Sequence, residues 1–132
     1  MSSGLEILRK YKTIAVVGLS PKVFRTSHGV SQYMQEQGYR IIPLNAGHKQ
    51  ILGELCYPDL DSIPKAVEIV NVFRRSEFVP PVVDAAIRIG ARAIWMQEGV
   101  VHEEAAEKAR TAGLEVIMDR CILKEHRRLK YS

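Results

Sequence analysis

The chain has 132 residues, of which 46% are hydrophobic and 26% charged, the size and composition of one domain around one core. No run approaches the roughly 18–20 apolar residues of a membrane span. The start, "MSSGLEILRKYKT", lacks the apolar centre of a signal peptide, so the expectation is a cytoplasmic protein without a membrane partner. The net charge of +4 is concentrated in the closing "KEHRRLKYS". Without interleaved aromatics or a nucleic-acid motif, that tail reads as a solvated last helical turn, its cations near the negative end of the dipole.

In chain order, five short apolar runs read as strands buried on both faces: "TIAVVG" (13–18), "RIIPL" (40–44), "EIVNVF" (68–73), "RAIWM" (92–96) and "EVIM" (115–118). Helical signals separate them. Thr26 or Ser27 is placed to cap a helix that carries Val30, Tyr33 and Met34 on one side and stops at Gly38. Ser76 is placed to cap a second, with Pro80 and Pro81 tolerated in its first turn and Gly90 as its stop. A third spans about 103–112, buries Ala105, Ala106 and Ala109, and ends at Gly113. Residues 45–67, with Pro58 and Pro64, read as connecting loop with a short turn of helix. This alternation predicts right-handed crossovers and an α/β fold with an open parallel sheet, helices on both faces.

Ligands of such sheets bind beyond the carboxyl ends of the strands. Gly18 directly after a strand allows a tight turn, and the amides that follow, with Ser20, Lys22, Arg25, Thr26 and Ser27, suit an anion. An ordinary strand-to-helix turn is the competing reading, since neither GxGxxG nor GxxxxGK[ST] is complete. At the end of the second strand Asn45 stands where NAD-binding units place a carboxylate, and His48 and Lys49 follow. That combination suits a phosphorylated ribose, leaving NADP or coenzyme A. Phe73 offers an aromatic edge and Arg74 and Arg75 a fork for phosphates.

Cys56 and Cys121 lack any CxxC or Cys/His pairing and read as free thiols, with no structural zinc. His28, His48, His102 and His126 form no triad or metal motif and are expected at the surface or as helix caps. Glu98 and Asp119 could work as an acid–base pair, although Asp119 reads better as a cap or anchor of the last helix.

Five segments, "VVGLS", "GYRIIPLN", "VFRR", "IWMQEGV" and "MDRC", in this order and at these intervals, closely resemble the small stand-alone CoA-binding proteins related to the N-terminal CoA-binding domain of the succinyl-CoA synthetase alpha subunit. The resemblance covers about residues 12–129. It implies a Rossmann-like sheet with its five strands in the order 3-2-1-4-5. It also implies coenzyme A as ligand, with phosphates at Gly18 and Ser20, adenine and ribose near the ends of the second and third strands, and the pantetheine arm along Gln97, Glu98 and Gly99. Gly18, Ser20, Pro43, Asn45, Val72, Phe73, Arg74, Gln97 and Gly99 match the family pattern. Thr26, where the family commonly has proline, and "NAG" in place of Asn-Pro depart from it.

Cys121 would lie near the thiol end, where a mixed disulfide with coenzyme A under oxidising conditions competes with plain packing as its role. A synthetase would further need a phosphorylated histidine, a second domain and a partner subunit. The expectation is therefore a non-catalytic module that binds coenzyme A or acyl-CoA as sensor, carrier or regulator. The alternative is a small NADP-dependent oxidoreductase domain or a partner subunit in acyl-CoA chemistry. A strand edge or helix face could pair two copies, or meet another protein.

Overall fold

Five apolar runs pair as one parallel sheet in the computed structural model, which describes residues 3–131. Met1, Ser2 and Ser132, touched by the readings of the two ends, lie outside the described residues. In chain order the elements are α1 (Gly4–Lys10), β1 (Thr13–Val17), α2 (Thr26–Glu36), β2 (Arg40–Leu44), β3 (Gln50–Ile51), β4 (Glu54–Leu55), β5 (Ile69–Val72), α3 (Val79–Arg88), β6 (Ala93–Met96), α4 (Glu103–Thr111), β7 (Glu115–Ile117) and α5 (Ile122–Lys130). A 3₁₀ turn, Ser76–Phe78, leads into α3. No helix among the described residues is long and apolar enough to cross a membrane.

The sheet order is β2-β1-β5-β6-β7, so the five main strands, counted in chain order, run 2-1-3-4-5 rather than 3-2-1-4-5. The run "IVNV" lies on the other flank of β1, with Val16 opposite Asn71. All four of its residues are buried, which a central position satisfies and an edge would not. Among the described residues the outer flank of β2 carries a single parallel bridge, Leu44 to Tyr57, made by Asn45 N to Tyr57 O and Tyr57 N to Pro43 O, each 3.0 Å. The proline-containing connection supplies that one bridge and a two-stranded hairpin, β3–β4, but no ladder. The topological switch therefore falls between β1 and β5, which is where such sheets open a crevice.

Alternation along the strands divides the core. Ala15, Val17, Val70, Val72, Ile94 and Met96 pack under α3 and α4, while Ile14, Val16, Ile69, Ala93 and Trp95 pack under α1, α2 and α5. Helix α4 follows its sequence signals closely: Ala105, Ala106 and Ala109 are buried, Glu103 and Glu104 sit in the first turn, and His102 caps it by accepting from Ala105 N at 3.1 Å. Helix α1 adds Ile7 and Leu8, both fully buried; complete burial of such a side chain stabilises by about 1.5–3 kcal/mol.

Two expected caps serve elsewhere. Helix α2 has Arg25 as N-cap and α3 has Phe78, neither with a side-chain capping bond. The Ser27 and Ser76 hydroxyls instead hold loops at the carboxyl end of the sheet. The N-cap position of helix α5 is Cys121 rather than Asp119, and it makes no side-chain capping bond. Among the histidines, His48 is exposed and His102 is a cap, but His28 and His126 are buried in the helical layer over β1.

Candidate functional site

Gly18 leaves β1 with φ +87°, and a Cβ there would run into the Phe73 carbonyl oxygen. Only glycine lets the ends of β1 and β5 come this close. The loop beyond is folded by its own hydroxyls: Ser27 Oγ accepts from Ser20 N at 3.0 Å, and Ser20 Oγ accepts from Lys22 N at 3.1 Å. Arg25 N then donates to Lys22 O at 3.0 Å, closing a turn that delivers the chain into α2. The result is a cleft of about 390 Å³ lined by Gly18, Ser20, Lys22, Arg25, Thr26, Ser27 and Phe73. It holds two cations and no carboxylate, and Lys22 and Arg25 form no ion pair among the described residues. In the first turn of α2 the His28 amide is taken by Arg25 O at 3.1 Å, whereas the Thr26 and Ser27 amides have no backbone acceptor among the described residues and carry the positive end of the helix dipole. An anion is the matching occupant.

A second cleft, of about 500 Å³, adjoins at Thr26 and Phe73 and continues past Arg74, Gln97, Glu98, Gly99 and Val100 to Cys121. A third hollow, of about 330 Å³, opens at Arg74 toward Val17, Leu44 and α3, with Phe78 and Leu60 among its apolar walls. Lysine 124 reaches Glu98 with 3.0 and 3.2 Å contacts, and this hydrogen bond with the carboxylate raises the ammonium pKa above its ordinary value. Cys121 is 9% exposed. Gln97 is nearly buried, its amide donating to Asn71 Oδ1 at 2.6 Å. Arg75 lies 4.0 Å from Glu77 and its guanidinium stands over Phe78.

The fold thus brings Gly18, Ser20, Lys22, Arg25, Phe73, Arg74, Gln97, Glu98, Gly99 and Cys121 to one continuous rim. Others stand back from it. Val72 and Pro43 are buried within their strands, line none of the three hollows, and have their carbonyls engaged by Gln97 N and Tyr57 N. Asn45 spends its side chain on the loops, donating to Leu19 O at 3.2 Å and accepting from Gly47 N at 2.9 Å. His48 is exposed, 3.4 Å from Asn45 Oδ1, and neither residue lines the three hollows.

Asn71 and Ser76 join the site beyond the residues expected there, and Asp119, expected as an acid–base partner of Glu98 or as a cap or anchor of the last helix, holds a loop instead. Asn71 was visible as the lone polar residue of an apolar strand. Ser76 Oγ accepts from Val101 N at 2.9 Å, and Asp119 Oδ1 accepts from Gly99 N at 2.7 Å; no local pattern announces either contact, because each spans more than 15 residues. Among the described residues no group of three or more His, Cys, Asp or Glu could hold a metal ion.

Comparison with known proteins places the fold and the family. YneT of Bacillus subtilis (strain 168) is 46% identical over 121 residues, covering 92% of this chain and 90% of YneT. The solved structure of a protein from Pyrococcus horikoshii OT3 superposes with a TM-score of 0.92 at 39% identity, over 96% of this chain and 89% of that one. The ADP-forming acetate–CoA ligase I of Archaeoglobus fulgidus is 22% identical over 121 residues, 84% of this chain but 18% of the ligase. Matching over residues 12–127, the chain belongs to the CoA binding domain family.

Proposed function

We infer that this protein binds coenzyme A or an acyl-CoA as a non-catalytic module, serving as carrier, sensor or regulator. The observation that carries the reading is the continuity of the rim: a cation-lined cleft at the start of α2 runs at Phe73 into a longer cleft that ends at a thiol. A long ligand with phosphates in its middle and an uncharged arm matches that sequence of surfaces. The family, and the ligase relative whose name states that it acts on acetate and CoA, point the same way.

In this reading Gly18, Ser20, Lys22 and Arg25 receive the diphosphate, and Phe73 and Arg74 the adenosine end. Gln97, Glu98, Gly99 and Cys121 border the pantetheine arm. Pro43 and Val72 back the rim from within their strands, Asn45 holds the Leu19 loop in place, and His48 supplies a side chain to the ribose phosphate from outside. Binding rather than acid–base chemistry is favoured because the carboxylates at the rim are already engaged, Glu98 by Lys124 and Asp119 by the Gly99 amide.

Thermal shift with CoA, dephospho-CoA, NAD and NADP tests this. A ligand bound only by the folded state stabilises by about 2.7 kcal/mol at 100 times its Kd, several degrees for a domain of this size. CoA should raise Tm most, and dephospho-CoA less. Stabilisation by NADP without stabilisation by CoA would replace this reading with the redox one.

A further inference from the structure

Residues 97–100 close as a four-residue turn, with Val100 N donating to Gln97 O at 2.9 Å. Gly99, third in the turn, has φ +81°, and Glu98 is not among the residues with positive φ. This combination defines a type II turn. Types I and II differ in the direction of the central peptide, here the Glu98 carbonyl and the Gly99 N–H, which is reversed between them.

Asp119 selects one direction. Its Oδ1 accepts from Gly99 N at 2.7 Å, the length of a charge-assisted bond, and its own N donates to Val100 O at 3.3 Å. Asp119 adopts φ +56°, a conformation that aspartate tolerates better than most side chains. In the reversed peptide the Glu98 carbonyl would confront the Asp119 carboxylate, acceptor against acceptor. Ser76 completes the clamp, accepting from Val101 N at 2.9 Å and donating to Gly99 O at 3.4 Å. Both backbone polar groups of Gly99 are therefore used inside the protein. The peptide is trans, so its carbonyl points away from Asp119.

We propose that Asp119 is a positioning residue for ligand recognition, holding the Glu98–Gly99 peptide so that the Glu98 carbonyl is the acceptor this loop presents to an amide N–H of the bound molecule. Gly99 itself, with both groups engaged, is left to shape the turn and not to pair with the ligand. Glu98 and Gly99 both line the cleft that ends at Cys121. The inference rests on the CoA reading, in which the amide-bearing pantetheine arm occupies that cleft while adenosine 3′,5′-bisphosphate, which lacks the arm, does not reach it.

The test compares CoA with adenosine 3′,5′-bisphosphate by calorimetric titration of wild type, Asp119→Ala and Asp119→Asn. The alanine variant should bind CoA roughly tenfold more weakly, the effect of one well-placed hydrogen bond, with the bisphosphate unaffected. Asparagine, which keeps an oxygen acceptor and accepts left-handed backbone, should restore most of the CoA affinity. Equal weakening toward both ligands, or unchanged CoA binding by Asp119→Ala, overturns the proposal. Independently of any ligand, exchange of the Gly99 amide should accelerate about tenfold in Asp119→Ala, and unchanged exchange removes the clamp. Failure of the wild type to bind CoA sinks the functional reading, whereas CoA binding that Asp119→Ala leaves intact sinks only this inference.

Discussion

Against one face of the sheet lie α3 and α4, whose inward residues are Val79, Val83, Ala86, Ala105, Ala106 and Ala109. Against the other lie α1, α2 and α5, which bring Ile7, Leu8, Met34 and Ile122 together with Tyr33, Tyr39 and His126. The side chains that the first layer's helices bury are small and apolar, with no titratable group among them. The second is built around Trp95, fully buried with Nε1 donating to Arg120 O at 2.9 Å. It also contains a polar network: Tyr33 Oη and His126 Nδ1 are 2.9 Å apart, and Tyr39 Oη donates to Leu8 O at 2.8 Å. Buried His28 Nδ1 and Ser31 Oγ have no hydrogen-bond partner among the described residues. The layer that carries the turn into α2, and with it the cationic cleft, is thus the one whose packing is open to adjustment by charge and water.

The contrast is broken most severely by Trp95→Ala, which removes the largest fully buried side chain and the Arg120 contact together. A loss of about 3–5 kcal/mol in urea unfolding is expected, accompanied by loosening of the segment that leads into Cys121. On the opposite face the sensitive change is addition rather than removal. Ala106→Leu, at a fully buried position of α4, should cost about 1–3 kcal/mol by overpacking, without altering binding at the rim. If Ala106→Leu is as stable as wild type, the space around Ala106 is not closely filled.

Acid separates the layers more gently. Burial, and then the charges of Lys12 and Lys130, hold the His126 pKa below the usual imidazole value. The folded state therefore favours the neutral ring. Its stabilising contribution is complete above the unfolded value of about 6.5 and is lost as pH falls through the lower folded value. Tm should fall below about pH 6.5 more steeply in wild type than in His126→Gln, and identical slopes would remove His126 from the explanation. The smallest effect belongs to the exposed Arg88–Asp61 pair, 2.8 Å apart on the α3 side. Replacing Arg88 with alanine should leave Tm within experimental scatter, because exposed pairs are screened by solvent.

Legibility in the sequence followed how locally each feature is encoded. The strands were readable because runs such as "IAVV" and "AIWM" are apolar and bounded by turn residues, and α4 because its acidic start, alanine stripe and Gly113 agree. Helix α1 was not, since seven residues carry little periodicity and its Ile7 and Leu8 are apolar neighbours that become a helical face only against the core. The β3–β4 hairpin, with two residues per strand and its turn at Leu52 and Gly53, both at positive φ, offers no alternating pattern to read. Ser27 and Ser76 were recognisable as hydrogen-bonding residues beside helix starts, but their partners, Ser20 and Val101, could not be inferred from neighbours in the chain.

Local order in this protein follows from composition and spacing alone: where strands run, where helices stop, and that glycine, hydroxyl and cationic residues gather after β1. Those properties depend on steric and hydrogen-bonding preferences within a few residues. The flank of β1 taken by β5, the spending of Asn45 on Leu19, and the Asp119 grip on Gly99 were decided by tertiary structure. Each depends on groups 20 or more residues apart competing for the same edge or the same hydrogen bond, and only the assembled fold determines which of them meet.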